Sequence, residues 1–180
     1  MTMTRLTFAA RPRGITLVEA MVVVAVLGIL AAIALPSFAG LVASSRSGAG
    51  ASSLWSGLQL ARSEAIRHNR TAYICPSANG VTCTAGGSYQ NGWIVWVDHN
   101  GNGTLETGEL ARSEGAMHPS VTVTGSQTVR YSSLGRPLTA AGLPLGSLSI
   151  QISTTTPAAS SRSVCIASNG LPSVETGACP

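Results

Sequence analysis

One apolar run near the N-terminus constrains the fold more than any other feature of the chain. Ile15–Leu35 is 21 residues long and carries a single charged side chain, Glu19. At about 1.5 Å per residue, a helix of this length spans roughly 30 Å, which is the hydrocarbon thickness of a bilayer. Because lipid offers no hydrogen-bond partners, every backbone polar group must bond internally. The run therefore predicts one membrane-spanning helix.

The residues on either side of the run predict its orientation. Three arginines precede it, and the positive-inside rule places such a leader in the cytoplasm and the chain from Pro36 onward across the membrane. These are Arg5, Arg11 and Arg13. Two plain interpretations remain open. In a signal anchor, Glu19 would reach the headgroups from the helix end, and in a secretory signal peptide cleavage would follow Ala32-Ile33-Ala34, although the run exceeds the usual apolar length of about 7–15 residues.

The start of the run supports a more specific interpretation. Gly14-Ile15-Thr16-Leu17-Val18-Glu19, followed by an apolar helix, resembles the class III leader of type IV pilins and pseudopilins, G-F-T-L-x-E. Ile15 in place of Phe or Met is a mild departure. The resemblance implies cleavage between Gly14 and Ile15 by a prepilin peptidase, followed by N-methylation of Ile15. Glu19 is then the fifth residue of the mature chain, where that family requires an acid.

Physical chemistry gives this acid a role in assembly. Placing an isolated carboxylate in lipid costs on the order of a few kcal/mol, and an unpaired ammonium costs about the same. A pair of opposite charges is tolerated. Glu19 is therefore predicted to neutralise the N-terminal ammonium of a neighbouring subunit. Pro36 matches a proline often found at the end of the pilin membrane segment and predicts a kink or local melting of the helix.

Composition is consistent with an exported structural protein. Of 180 residues, 44% are hydrophobic, only 10% are charged, and all 11 basic residues are arginine. Removing the 14 leader residues leaves 166, with 8 arginines against 7 acids, so the formal charge falls from +4 to +1. The overall balance therefore does not indicate a strongly basic nucleic-acid binder.

Four cysteines indicate disulfides in an oxidising compartment. The favoured pairing is local, Cys75 with Cys83 and Cys165 with Cys179, and each bridge would contribute about 2–3 kcal/mol through loop closure. Crossed connectivities remain open. Structural zinc is disfavoured because neither pair has C-x₂₋₄-C spacing.

The rest of the chain predicts an α+β protein. Residues 36–70 continue the helix, with a flexible segment at 44–53 where Gly48 and Gly50 favour an interruption. Leu54–Asn69 carries an apolar stripe at helical spacing, which predicts packing on a sheet. The stripe comprises Leu54, Leu58, Ala61 and Ala65.

Residues 71–180 predict a β-rich head of antiparallel strands, onto which the C-terminal half of the long helix packs. The six strand patterns are TAYIC, GWIVWV, VTVTG, TVRYSS, LSIQIS and SVCIAS.

Two further motifs narrow the resemblance. LQLARSEAIRHNRTAYIC resembles L-x-x-A-R-S-E-A-I-x-R-N of the GspH/FimT/FimU family of minor pilins and pseudopilins, and GWIVWVDHNGNGTLETGELAR resembles that family's G-W-x-V-x-x-D-x-N-x-N-G-x-x-x-x-x-E hairpin. The resemblance implies a non-enzymatic subunit, held in the inner membrane with its head in the periplasm, and built with other pilins at or near the tip of a type IV pilus or type II secretion pseudopilus. The leader and helix do not distinguish these machines.

The hairpin also satisfies D-x-N-x-N-G-x₅-E, the written pattern of a calcium loop. Six residues would offer oxygens to one Ca²⁺ ion: Asp98, Asn100, Asn102, Thr104, Glu106 and Glu109. The flanks are read as a strand before the loop and irregular chain after it, so this is no EF-hand. The alternatives are a calcium-binding secreted module or a Gly/Asn-rich turn that needs no ion.

DNA binding is the remaining alternative. Some FimT-like pilins capture DNA in transformation through a C-terminal G-R-x-R, but here Leu171 and Ser173 stand at the arginine positions, which argues against that mode. Arg130, Arg136 and Arg162 would have to cluster on one face, and a second set is Arg62, Arg67 and Arg70. Otherwise, no cofactor is expected. The sequence contains no G-x-S-x-G, H-E-x-x-H or phosphate-loop motif, and its three histidines are dispersed, so no enzyme is predicted.

Overall fold

In a computed structural model, the chain divides into two compact units, Met1–Phe38 and Ala39–Pro180. The structure describes residues 14–125, 127–139, 141–155 and 161–180, without the side chains of residues 34–37. The leader arginines lie outside the described residues. One helix, α1 (Leu17–His68), supplies residues to both units.

The first turn of α1 is fixed by a local cap. Thr16 Oγ1 accepts the N–H of Glu19 at 3.3 Å, and the Thr16 carbonyl accepts the N–H of Ala20 at 3.1 Å. Thr-x-x-Glu is the sequence of a capping box, and the helix therefore begins at Leu17 rather than at Ile15. The side chain of Pro36, the predicted kink, lies outside the described residues, and α1 is assigned as helix through this position.

The first unit exposes its apolar side chains on all sides. Large apolar residues between Ile15 and Ile33 are exposed by 49% (Val26) to 79% (Ile15 and Leu17). The helix is long and apolar enough to cross a membrane by length and composition, with a mean hydropathy of 2.7 over its most apolar window. A helix that is apolar all round is stable only in an apolar medium or against other apolar surfaces.

In the second unit, α1 buries one stripe at three- and four-residue steps. Its members are Ala43, Ser47, Ala51, Leu54, Leu58, Ala61 and Ala65. The part of this stripe predicted from sequence is therefore confirmed. The interruption expected within 44–53 is wrong, because α1 is continuous there. A Cβ on Gly50 would lie 3.1 Å from the Sδ atom of Met117. The glycine therefore allows this close packing, at a helix-propensity cost of about 1 kcal/mol.

The described part of the second unit adds a 3₁₀ turn at Tyr89–Asn91 and nine strands after α1. The strands are β1 (Thr71–Pro76), β2 (Trp93–Asp98), β3 (Leu110–Glu114), β4 (Val121–Thr124), β5 (Val129–Tyr131), β6 (Pro137–Leu138), β7 (Leu148–Thr154), β8 (Arg162–Ile166) and β9 (Pro172–Thr176).

These strands form two antiparallel sheets. The first has the order β3-β2-β1-β5-β6 and the second the order β4-β7-β8-β9. Six strand patterns were predicted, and β3, β6 and β9 were missed. The prediction of irregular chain after the hairpin loop is wrong, because β3 follows it and pairs with β2. The missed strands lie at sheet edges, where exposed polar side chains or a proline hide the strand pattern.

One core joins the helix to both sheets. From Ala51 to Ala65, the buried stripe of α1 packs with residues of β1, β2 and β5 and with residues of β4, β7 and β8 in a single cluster. The largest fully buried side chain is Trp93. A Cβ on Gly57 would lie 2.7 Å from its Cη2 atom, so the indole packs directly against the helix backbone.

A smaller cluster covers the opposite face of the first sheet. Tyr73 and Trp96 stack with ring centroids 4.0 Å apart, and Cys75, Ile94 and Leu105 complete the cluster. Because successive strand residues point to opposite faces, this cluster lies away from α1.

Both disulfides have the local pairing favoured from the sequence. Cys75 is bonded to Cys83, with Cα atoms 5.6 Å apart, and Cys165 to Cys179, with Cα atoms 5.7 Å apart. The first ties β1 to the loop that follows it, and the second ties β8 to the C-terminus.

Candidate functional site

The predicted processing bond lies in accessible chain just before α1. No heavy atom lies within 4 Å of a Cβ built on Gly14, Ile15 is 79% exposed, and neither residue is helical. Proteases act on exposed, non-helical backbone because the bond must fit an extended site. The local structure of Gly14 and Ile15 therefore suits cleavage.

Glu19 lies in the first helical turn with its side chain exposed. The positive end of the helix dipole favours a carboxylate there. Among the described residues, no ion pair involves Glu19. Its charge is thus placed next to the N-terminus that cleavage would create, and it has no intramolecular cation partner within the described chain.

The predicted calcium loop is closed by its own carboxylates. Asp98, which is almost fully buried, accepts the N–H groups of Gly101 at 2.7 Å and Gly103 at 2.9 Å. Glu109, also buried, accepts the N–H groups of His99 at 2.8 Å and Glu106 at 2.9 Å. Both ends of the loop are therefore held by charge-assisted hydrogen bonds to backbone.

The exposed side of the loop is held in the same way. The Glu106 carboxylate accepts the side-chain amides of Asn100 at 2.9 Å and Asn102 at 2.7 Å. Asn102 Oδ1 accepts both the N–H and the hydroxyl of Thr104. The residues that match the calcium pattern are thus brought together, but as partners of one another.

Within the described residues, no group of three or more His, Cys, Asp or Glu side chains is arranged to hold a metal ion. Calcium binding remains a prediction from the sequence pattern. Calorimetric titration of the full chain with Ca²⁺ tests it: saturable heat that Glu109→Gln removes and Glu175→Gln keeps would support the site. No heat at millimolar Ca²⁺ would end the idea.

The histidines are less dispersed than their spacing suggests. The rings of His68 and His99 meet edge to face with centroids 4.9 Å apart, and His68 Nε2 lies 3.2 Å from the Glu64 carboxylate. Arg67 approaches the same oxygen at 2.6 Å. The i,i+3 and i,i+4 spacing predicts the helical contacts of Glu64, but no sequence signal predicts the long-range contact with His99.

The three arginines singled out for DNA do not lie on one sheet. Arg130 is on β5 in the first sheet, with its guanidinium 5.1 Å from the centre of the Tyr73 ring. Arg162 is on β8 in the second sheet, half-buried, and its Nε atom would lie 3.4 Å from a Cβ on Gly48 of α1. Arg136 is exposed in the turn between β5 and β6.

The pKa of the Tyr73 hydroxyl depends on its burial and on the neighbouring Arg130. Burial raises the pKa of this group, while the nearby Arg130 guanidinium opposes the shift. Tyr73 is thus a neutral packing residue at physiological pH, and Arg130 packs over its ring face.

Leu171, in the turn between β8 and β9, and Ser173, on β9, stand at the positions of the family's arginines. Leu171 and Ser173 are both exposed and uncharged. Gly170 has φ +83° and packs on the turn between β5 and β6, where an added Cβ would lie 1.9 Å from the Gly135 carbonyl oxygen. Glycine is required here for close packing, whether or not the turn binds a ligand.

Comparisons with family models agree with this arrangement. The model for the prokaryotic N-terminal methylation motif matches residues 10–35, and the model for the type II transport protein GspH matches residues 50–170. No curated protein matches the chain.

The fold also resembles a solved structure. The Pseudomonas aeruginosa (strain PAO1) type IV minor pilin FimU, in a P21 crystal, aligns with a TM-score of 0.51 and 17% identity, covering 73% of this chain and 87% of that one. A P65 crystal of FimU gives a TM-score of 0.49 and 19% identity, covering 71% and 91%. The P21 likeness shows the fold, and confirms the prediction of a long helix packed on antiparallel sheets.

The methylation motif accounts for the first apolar segment, and the second family match accounts for the helix and sheets of the head. Members of this family are pilin-like structural subunits rather than enzymes, as the sequence predicted. Because the second match covers well over half of the 180 residues, the chain belongs to the GspH family of type II transport proteins.

Proposed function

We propose that this chain is a filament subunit, processed at its N-terminus and assembled with other pilins at or near the tip of a type IV pilus or type II secretion pseudopilus. A prepilin peptidase cleaves between Gly14 and Ile15, and Ile15 is N-methylated. Before assembly, residues 15–35 hold the subunit in the inner membrane with its head in the periplasm.

The observation that carries this proposal is the exposure of an apolar helix within a matched methylation motif. Large side chains from Ile15 to Ile33 remain at least 49% exposed, and the motif covers residues 10–35. At about 25 cal/mol per Å² of apolar surface, leaving this helix in water would be strongly unfavourable. Lipid before assembly and neighbouring helices afterwards supply the apolar surroundings that it requires.

Glu19 gives the assembly its register. Cleavage creates an ammonium at Ile15, and burying that charge in an apolar filament core is costly unless a counter-charge lies beside it. The Glu19 carboxylate forms no ion pair with a described residue of its own chain. A neighbouring subunit displaced along the filament can therefore place its ammonium against this carboxylate.

The two disulfides support export of the head. Both Cys75–Cys83 and Cys165–Cys179 are formed, and such bridges persist in the periplasm rather than the cytosol. The three leader arginines favour a cytoplasmic N-terminus, which gives the same orientation.

The proposal is tested by incorporation into filaments in a host that carries the pilus and secretion genes. Glu19→Gln should remain in the membrane but be depleted at least about tenfold from sheared filaments, because the isosteric amide cannot neutralise an ammonium. Glu64→Gln, which changes a charge in the second unit, is the matched control. Equal incorporation of both variants would contradict the role of Glu19.

The choice between machines is tested by deletion of the gene. Loss of surface pili with normal secretion would indicate a pilus subunit, and loss of secretion with normal pili a pseudopilus subunit. Complementation with the wild-type chain, but not with Glu19→Gln, should restore the affected process. A deletion that changes neither process would contradict the proposal.

A further inference from the structure

Asparagine is followed by glycine at most of its positions in this chain. Five of the six asparagines precede a glycine, and all five pairs lie in the part of the chain that the structure describes. They are Asn79-Gly80, Asn91-Gly92, Asn100-Gly101, Asn102-Gly103 and Asn169-Gly170. Asparagine reacts fastest in this dipeptide, because a glycine without a Cβ lets its backbone nitrogen reach the preceding side chain.

The reaction at such a pair is deamidation. The backbone nitrogen of the glycine bonds to the Cγ atom of the asparagine, the C–N bond of the side-chain amide breaks, and ammonia leaves with the proton of that nitrogen. One water molecule then opens the five-membered succinimide at either of its carbonyl groups. The product is an aspartate or an isoaspartate, so each conversion replaces a neutral amide by a carboxylate without any change in oxidation state.

The attacking nitrogen is held by a hydrogen bond in all five pairs. Three of the acceptors are neutral oxygen atoms of residues three positions earlier. These are Ser77 Oγ for Gly80, the Tyr89 carbonyl oxygen for Gly92 and the Ala167 carbonyl oxygen for Gly170. Such a bond must break before the nitrogen can attack.

The other two pairs share one charged acceptor. Asp98 Oδ1 accepts the N–H of Gly101 at 2.7 Å, and Asp98 Oδ2 accepts the N–H of Gly103 at 2.9 Å. Asp98 is only 4% exposed, so water competes little for its oxygens. Because hydrogen bonds to a carboxylate are stronger than those to neutral oxygen atoms, a single buried side chain holds both attacking nitrogens.

The side chains that would react are open to solvent. Asn100 and Asn102 are both exposed, and their amides donate to the Glu106 carboxylate at 2.9 and 2.7 Å. Water therefore reaches both amides, and the hydrogen bonds of Asp98 to the two glycines are what oppose the attack. A carboxylate formed at either position would lie beside Glu106, where like charges repel.

We propose that Asn100 and Asn102 are deamidation sites of this chain, and that the Asp98 carboxylate keeps both of them unreacted in the folded head. Each conversion is a one-way change that replaces a donor to Glu106 by a negative charge. The repulsion loosens the loop that carries Leu105, which packs against the stacked rings of Tyr73 and Trp96. This reaction is independent of filament assembly.

The test follows deamidation of the full chain in neutral detergent at pH 8 and 37 °C, by peptide mapping and mass spectrometry at successive times. Because a hydrogen bond to a charged group changes an equilibrium about tenfold or more, Asn100 and Asn102 should react at least about tenfold more slowly in the folded wild type than in the same chain unfolded by guanidinium chloride. Equal rates in the two states would overturn the proposal.

Asp98→Asn isolates the role of the carboxylate. The variant keeps one acceptor oxygen but presents an NH₂ group to the second glycine, so Asn100 and Asn102 should react about tenfold faster than in wild type. Asn169, whose glycine is held by the Ala167 carbonyl oxygen, should react at its wild-type rate. Glu175→Gln removes a carboxylate from β9 in the second sheet and should leave every rate within about twofold.

Two outcomes of these variants would overturn the role of Asp98. One is an unchanged rate at both Asn100 and Asn102 in Asp98→Asn, and the other is an equal acceleration at Asn169, which would indicate general loosening of the head. If Asp98→Asn does not fold, the comparison of folded with unfolded wild type decides the proposal.

Discussion

The two parts of α1 illustrate two ways in which an apolar sequence is satisfied. From Leu17 to Ile33 the helix is apolar on all sides and its side chains are exposed. From Ala51 to Ala65 a narrow stripe is buried against two sheets, while Ser52 and Ser63 on the other side are exposed. The difference shows that the apolar surface of the first part needs apolar surroundings from outside the chain. The apolar stripe of the second part is buried by the sheets of the same chain.

The largest effect is expected where the second unit is packed most closely. Gly170→Ala would place a Cβ 1.9 Å from the Gly135 carbonyl oxygen at φ +83°. We expect a loss of at least about 4 kcal/mol of unfolding free energy, or no folding, because both backbone strain and a clash with main chain oppose it. Urea unfolding followed by tryptophan fluorescence, with the full chain in neutral detergent, measures the change.

Two glycine controls separate the causes. Gly142→Ala has φ +79° but no atom within 4 Å, and should lose only about 1–2 kcal/mol. Gly28→Ala, in the first unit, also meets no atom and should leave unfolding of the head unchanged. Equal stability of the Gly170 and Gly142 variants would show that the contact with Gly135 is absent.

A second pair of variants compares the two parts of α1 directly. Leu58→Ala empties a fully buried position and should cost about 3 kcal/mol. Leu27→Ala removes the same atoms from a side chain that is 58% exposed, and should leave the unfolding free energy of the head unchanged. If both cost the same, the distinction between the two parts fails.

Gly57→Ala tests the contact between α1 and the core at the scale of one methyl group. The new Cβ would lie 2.7 Å from Trp93 Cη2, and overpacking should cost about 1–3 kcal/mol, partly offset by a gain of about 1 kcal/mol in helix propensity. The Cβ of Gly40→Ala would meet no atom within 4 Å, so this variant should gain helix propensity without an overpacking cost. A more stable Gly57→Ala variant would contradict the close packing of Trp93.

The smallest expected effect is a difference in unfolding free energy between the phenylalanine variants of two buried tyrosines. The Tyr89 hydroxyl donates to the Gln127 carbonyl oxygen at 2.7 Å, so Tyr89→Phe should cost about 1 kcal/mol. The Tyr131 hydroxyl is buried without a hydrogen-bond partner among the described residues, and Tyr131→Phe should be nearly neutral at pH 7. Chemical unfolding of both variants measures the difference, and an equal cost would contradict it.

Alkaline pH extends this comparison. Burial raises the pKa of both tyrosines, so each contributes stability that is complete below about pH 10, the pKa of unfolded tyrosine, and declines as the pH rises further. Unfolding at pH 7, 9 and 11 should show this loss in the wild-type chain and a smaller loss in Tyr131→Phe. A pH-independent unfolding free energy would contradict it.

The sequence predicts elements whose signal is local. Leu54 and Leu58 are recognised by helical periodicity, and Cys75 and Cys83 by short spacing. The continuity of α1 through Gly48 and Gly50 could not be predicted in this way, because these glycines pack against Arg162 of β8 and Met117 of the β3–β4 connection, which are distant in sequence.

The candidate sites also differ in whether they depend on local sequence or on long-range contacts. Gly14, Ile15 and Glu19 form a contiguous motif, so their predicted role needs no tertiary structure. The hydrogen bond from Arg62 to the Gly135 carbonyl oxygen joins residues 73 positions apart, and the contact of His68 with His99 also joins distant segments. No periodicity or spacing in a single sequence indicates such contacts.

The most direct test of the central claim is the intact mass of the chain purified from membranes of its native host. The account predicts a chain that begins at Ile15 and carries one N-methyl group. A chain that begins at Leu35, or a functional filament whose subunits retain residues 1–14, would contradict it.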